Sequence, residues 1–116
     1  MLIVEDEQDL CDCLQTFFAS HGFSVSAAFS GEEALERIQQ EAPDVILLDI
    51  LLPGISGMEV LKRIKHLLPN VRVVMATGLD GVELRAEAHR YGAAAYITKP
   101  YDFRESAWSD VLADPA

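Results

Sequence analysis

Two runs in this chain are apolar at every position and stop abruptly at acids. Leu2-Ile3-Val4 ends in Glu5-Asp6-Glu7, and Val45-Ile46-Leu47-Leu48 ends in Asp49. A short run without polar alternation reads as a strand buried on both faces, and such strands belong to parallel sheets with helices packed on either side. Val71 to Ala76 (VRVVMA) reads as a further strand ending at Thr77-Gly78, and Ala94 to Thr98 as another, ending at Lys99-Pro100. Phe23 to Ala28 alternates weakly, as an outer strand would.

Helical periodicity fills the gaps between these runs. Leu10, Leu14, Phe17 and Phe18 share one face, and His21-Gly22 closes that helix. Ser30 can cap a second helix with Glu33 three residues on, as in a capping box, and its stripe is Ala34, Leu35 and Ile38. Pro43 breaks the chain before the third strand. After a loop with Pro53, Gly54 and Gly57, Ser56 can cap a third helix marked by Met58, Val60, Leu61, Ile64 and Leu67, and Pro69-Asn70 is a turn. A fourth helix covers Val82 to Tyr91 and ends at Gly92; its stripe is rich in Ala, and Gly78 and Gly81 loosen its start. Asp102 can cap a last helix over about 103–113 that carries Phe103, Trp108, Val111 and Leu112. Strand and helix thus alternate five times, which implies an α/β sandwich with right-handed crossovers.

At 116 residues the chain is about one domain, able to hold a core without disulfides or metals. The formal net charge of -10 argues against nucleic-acid binding, which needs clustered Lys and Arg. No apolar run approaches the ~20 residues of a membrane span, and no basic start precedes Met1-Leu2-Ile3-Val4, so a cytoplasmic location without a signal peptide is expected. Cys11 and Cys13 fall on different faces of a helix and make no metal site, which suits a reducing compartment. His21, His66 and His89 sit at helix ends and read as surface residues. Glu83, Arg85, Glu87 and Arg90 read as a solvated helix face with i,i+4 pairing.

In a parallel sheet all strands point one way, and ligands bind beyond their carboxyl ends. Four strand ends here carry chemistry: Glu5-Asp6, Asp49, Thr77 and Lys99. Three clustered carboxylates repel one another, and a hard cation with oxygen ligands, Mg²⁺, relieves them. Lys99 adds a compact positive charge and Thr77 a hydroxyl. A carboxylate nucleophile, a metal, a cation and a hydroxyl donor are what aspartyl phosphorylation needs.

These pieces, in their order and spacing, resemble the receiver domains of two-component response regulators. The likeness lies in Leu2-Ile3-Val4-Glu5-Asp6-Glu7, Val45 to Asp49 with Leu52-Pro53-Gly54 and Gly57-Met58-Glu59, Met75-Ala76-Thr77-Gly78, and Gly92 to Pro100. It covers almost the whole chain, read as a single receiver domain over 1–116. The resemblance implies a flavodoxin-like (βα)5 fold with strand order 2-1-3-4-5. It implies Asp49 as phosphoacceptor, Asp6 as a direct Mg²⁺ ligand, Glu5 as a ligand through water, and the Leu51 backbone carbonyl as a further ligand. Thr77 and Lys99 would contact the phosphoryl group, and Thr77 with Tyr96 would form the switch. A cis peptide before Pro100 is also implied. Leu51 and Leu79 would flank the path of the hydrolytic water. The implied partner is a sensor histidine kinase or a phosphotransfer protein, and a homodimer through helix four, strand five and helix five is the self-association such a domain allows.

Three departures stand out. Glu5 occupies a place where Asp is commoner. The chain begins four residues before the acid pair, so the first strand reads as trimmed. The last segment lacks the usual aliphatic stripe, and no effector domain fits after residue 112. Two rivals remain at this point. A small phosphohydrolase with an Asp nucleophile would want a second Asp two residues after Asp49, where Leu51 stands. A degenerate receiver, binding without phosphorylation, would lack one of the required residues, and every one is filled.

Overall fold

The computed structural model describes residues 1–101, 103, 104 and 108–112. Strand and helix alternate through β1 (Leu2–Val4), α1 (Gln8–Ser20), β2 (Ser26–Ala28), α2 (Gly31–Gln40), β3 (Val45–Leu48), α3 (Gly57–Leu67), β4 (Arg72–Thr77), α4 (Val82–Arg90), β5 (Ala95–Thr98) and α5 (Ser109–Leu112). All strand pairs are parallel, in the expected order β2-β1-β3-β4-β5.

Alternation along each strand divides the core between two faces. Leu2, Val4, Ile46, Leu48, Val73 and Met75 face α2, α3 and α4. Ile3, Val45, Leu47 and Val74 face α1 and the last turn. β1 and β3 are therefore apolar throughout because each side chain has a helix above or below it. β2 lies at the edge, where Ser26 is exposed and only Ala28 is fully buried, and this accounts for its weak sequence signal.

The helix starts follow local chemistry. Ser56 accepts the Glu59 amide at 3.3 Å, and Ser30 accepts the Glu33 amide at 3.1 Å. The return arm of the second cap goes one residue further back than expected: Glu33 Oε2 accepts from Phe29 N–H rather than from Ser30. Leu67, expected in the stripe of α3, is the last residue of that helix and is 50% exposed. Cys11 is buried and Cys13 exposed, as their two-residue spacing requires. His66 and His89 are exposed, but His21 is half-buried, with Nδ1 2.8 Å from the Phe17 carbonyl and its ring against Phe17.

The end of the chain differs from the expected helix over 103–113. Phe103 and Arg104 lie in irregular backbone, and α5 follows the Trp108 turn; Asp102, 105–107 and 113 lie outside the described residues. The reason is the missing aliphatic stripe. Trp108, fully buried, fills the groove beside α1, edge-on to Phe18 and Tyr101 and stacked on Phe103. Aromatic rings do here what a longer aliphatic helix face would do.

Tyr101 brings one misfit into this cluster. Its hydroxyl is buried with no hydrogen-bond partner among the described residues. A buried donor without a partner costs about 1 kcal/mol or more. Tyr101→Phe, which keeps the ring against Trp108, should therefore raise the melting temperature by roughly 4 °C, measurable by thermal denaturation.

Candidate functional site

Parallel register brings the chemistry together. Val4 pairs with Leu48 and Leu48 with Met75, so Glu5 and Asp49 leave adjacent strands at the same level. The ladder runs on for one more step: Asp49 N–H donates to the Val4 carbonyl at 3.2 Å, and Glu5 N–H to Ala28 at 3.1 Å. Both side chains are held under the carboxyl edge, Glu5 at 2% and Asp49 at 3% exposure. Two strands along, Lys99 N–H donates to the Thr77 carbonyl at 2.8 Å, and the Lys99-Pro100 peptide is cis.

Lys99 Nζ lies 2.9 Å from Glu5 Oε1 and 2.9 Å from Asp49 Oδ2. One ammonium therefore serves two buried carboxylates. The free oxygens of both acids are held by backbone amides: Leu51 N–H donates to Asp49 Oδ1 at 3.2 Å, and Glu7 N–H to Glu5 Oε2 at 3.1 Å. Burial pushes the Glu5 carboxyl above its ordinary range, against the opposing pull of Lys99. Burial by itself would lower Lys99, but its hydrogen bonds to Asp49 and Glu5 win and raise it.

Asp6 is exposed and completes the cluster: Glu5, Asp6 and Asp49 each offer a carboxylate oxygen within 4.8 Å of the others. The donor set is oxygen only, carries three carboxylates and is open on the Asp6 side, which suits a hard divalent cation that keeps some of its waters.

Thr77 is fully buried at the end of β4, and its hydroxyl accepts from Leu79 N–H at 3.3 Å. Tyr96 is half-buried, and its hydroxyl donates to the Leu79 carbonyl at 2.7 Å. Leu79 is thus pinned through its backbone from both sides, while its side chain packs on the α3 face of the core. Leu51 is 60% exposed.

Two contributors escaped the sequence reading. Glu32, at the start of α2, accepts from Ile55 N–H at 2.9 Å and so ties down the loop after Asp49; that amide hydrogen bond holds its carboxyl below the ordinary range. Arg85, read as part of a solvated i,i+4 face, instead pairs with Asp80 and lies over Tyr96. Both contacts span a loop, so no periodic spacing announces them.

The response regulator receiver domain model matches residues 1–107. This chain belongs to the receiver family. Receivers are signalling switches of two-component systems, working by phosphorylation, rather than enzymes that turn over an independent substrate. This receiver is 34% identical over 105 residues to sporulation initiation phosphotransferase F of Bacillus subtilis (strain 168), covering 90% of this chain and 85% of that protein. It is 36% identical over 103 residues to the transcriptional regulatory protein ZraR of Escherichia coli (strain K12), covering 89% of this chain but only 23% of that longer protein. Among solved structures it is similar to the CheX-CheY-BeF3-Mg²⁺ complex from Borrelia burgdorferi, with TM-score 0.90, 32% identity, and 96% of this chain and 84% of that chain covered. Receivers bind Mg²⁺ at an acidic pocket, and the cluster of Glu5, Asp6 and Asp49 is of that kind.

Proposed function

We propose that Asp49 is the phosphoacceptor of a two-component signalling switch, receiving its phosphoryl group from a phosphohistidine on a sensor kinase or phosphotransfer protein. The observation that carries this reading is the Asp49 carboxylate, buried at a strand end, hydrogen-bonded to Lys99 and clustered with Glu5 and Asp6. An Asp49 oxygen attacks phosphorus, the P–N bond to the histidine breaks, and its electron pair returns to the imidazole. Lys99, already 2.9 Å from Asp49 Oδ2, follows the charge onto the phosphoryl oxygens. Thr77 supplies a hydroxyl, releasing the Leu79 amide as it turns, and Tyr96 responds through the same loop. Asp6, Asp49 and the Leu51 carbonyl directly, with Glu5 through water, would hold Mg²⁺, which when bound offsets negative charge on the transferring group. This reading places the protein in the cytoplasm, where Cys11 and Cys13 stay free thiols.

Acetyl phosphate with Mg²⁺ should label wild type at Asp49 alone, and Asp49→Asn should lose the label completely; intact-mass and peptide mass spectrometry check both. Equal labelling of the variant would sink the assignment. Incubation with a generic phosphate ester separates this reading from the hydrolase, which would turn over repeatedly.

The same reading makes the phosphorylated state long-lived. Hydrolysis needs a water in line with phosphorus, and positioning is most of what phosphoryl transfer asks of a protein. Leu51 and Leu79, flanking that approach, can neither hydrogen-bond a water nor orient it. One positioning contact of ~1.4 kcal/mol is worth about tenfold in rate. Leu51→Asn with Leu79→Glu should therefore speed loss of the phosphoryl group on the order of tenfold, followed as decay after donor removal. Equal or slower decay would show that these leucines do not limit the water.

A further inference from the structure

We infer that Arg85 is a positioning residue that holds Tyr96 turned in against the loop after β4, and so sets how readily this receiver switches. The inference rests on the reading of Thr77 and Tyr96 as the switch pair. Its basis is a convergence on one guanidinium. Arg85 Nε donates to Asp80 Oδ1 at 2.8 Å. Its Cζ lies 4.8 Å from the centre of the Tyr96 ring, and Nη1 reaches the Tyr96 carbonyl at 3.4 Å. One side chain on α4 thus grips the β4–α4 loop with one edge and covers Tyr96 with its face.

These contacts close a circuit. Tyr96 hydroxyl donates to Leu79 O at 2.7 Å, Leu79 N–H donates to Thr77 Oγ1, and the chain continues from Leu79 into Asp80. Asp80 Oδ1 also accepts from Gly81 N–H at 2.7 Å, so the acid that Arg85 grips is itself fixed to the loop. Thr77 cannot turn its hydroxyl without disturbing Leu79, and Leu79 cannot move without disturbing Tyr96. The Arg85 side chain closes the circuit from Asp80 back to Tyr96.

The side chains of Arg85 and Asp80 are 45% and 58% exposed, so the clamp is a bias rather than a lock. A planar guanidinium is needed both to stack on the ring and to reach two acceptors, and an ammonium cannot do both. A site that needs Tyr96 turned in loses apparent affinity in proportion to the fraction of molecules in which it has swung out. Loss of an exposed ion pair together with a cation–π contact should weaken binding of a phosphoryl analogue about fivefold.

The test uses the full chain labelled with 3-fluorotyrosine, which contains three tyrosines, each assigned by its Tyr→Phe variant. Fluorine NMR of wild type, Arg85→Ala, Arg85→Lys and Asp80→Asn reports the Tyr96 environment, and titration with beryllofluoride in Mg²⁺ reports the site. In Arg85→Ala the Tyr96 signal should move toward the solvent-exposed position, with an H₂O/D₂O shift, and beryllofluoride should bind about fivefold more weakly. Arg85→Lys should follow Ala more than wild type, and Asp80→Asn should lie between. A general loss of helix stability would lower the melting temperature without moving the Tyr96 signal, and an unmoved signal in Arg85→Ala overturns the clamp. A moved signal with unchanged beryllofluoride affinity overturns its part in switching. Failure of wild type to bind beryllofluoride would instead count against the proposed phosphoryl site, and the Tyr96 signal would then decide on the clamp alone.

Discussion

Lys99→Met should cost this receiver on the order of 3 kcal/mol at neutral pH, and either mild acid or Mg²⁺ should restore much of the loss. Glu5 and Asp49 share one ammonium at 2.9 Å on each side and are otherwise buried. Removing one partner of a buried pair leaves an uncompensated charge, which is far more costly than the net worth of the pair. The direction of the pH effect follows from Glu5. Burial already places its folded-state carboxyl above the ordinary range, and the loss of Lys99 removes the main opposing pull. Between the ordinary and the raised value the folded state holds a proton that the unfolded state has released. Stability therefore falls as pH rises through that window and returns as pH is lowered. Lys99 in wild type runs in the same direction: its raised pKa gives stability that is complete below its ordinary value and fades as pH climbs through the raised one. Thermal denaturation of Lys99→Met should show a drop of roughly 10 °C at pH 7, shrinking toward pH 5.5. Millimolar Mg²⁺ should also narrow the gap, because a cation bound only by the folded form stabilises it. A deficit that neither acid nor Mg²⁺ narrows would show that Lys99 acts through packing of its stem.

Gly57→Ala should be at least as damaging, although no charge changes. A Cβ at Gly57 would stand 1.9 Å from the Asp49 carbonyl oxygen and 2.6 Å from Ile50 Cα. Both neighbours are backbone, so no rotamer can make room, and α3 or the end of β3 must shift. Its amide also donates to Ile50 O at 2.8 Å, which locks the first turn of α3 against the strand end. Overpacking of this sort costs about 3 kcal/mol or more. The displacement falls on the backbone of Asp49 itself, and a shift near 1 Å at a reacting group costs about a hundredfold in rate. Gly57→Ala should lose ~10 °C or more in melting temperature and label with acetyl phosphate about a hundredfold more slowly. Gly78→Ala is the matched control: its Cβ would meet only Lys99 Cδ at 3.8 Å, an ordinary contact, so stability should be nearly unchanged.

That Glu5 and Asp49 meet at one sheet edge was legible in the sequence because buried strand and charged strand end leave opposite marks side by side. An all-apolar run says where a central strand is, and the acid at its end says which edge holds the chemistry. Thr77 and Lys99 could be read the same way. Gly57 was visible as a motif residue, but the reason only glycine fits there lies in the approach of two backbones, which no spacing encodes. Glu32 and Arg85 were invisible for a related cause: each acts across a loop, and a charged residue on a helix surface looks alike whether it meets water or a distant amide. The start of the last helix was misplaced at Phe103 because Phe103, Trp108 and Val111 suggest a helical stripe, whereas Phe103 stacks on Trp108 from irregular backbone.

α4 is fastened unlike its neighbours. α1 buries Cys11, Leu14 and Phe18, and α3 buries Gly57, Met58, Val60, Leu61 and Ile64, but α4 buries Ala88 alone. Val82, at its start, is 84% exposed. One methyl group is worth less than about 1 kcal/mol of burial, and Leu84, the other apolar side chain that α4 packs against the core, is only partly buried, so this helix has less apolar burial to lose than α1 or α3. The other helices act as a chassis, and α4 rides on it as a lever whose resting position is set by hydrogen bonds and charges rather than by oil. Held that way, α4 is the element whose position a change of charge at Arg85 or Asp80 should alter with the least disturbance of the core.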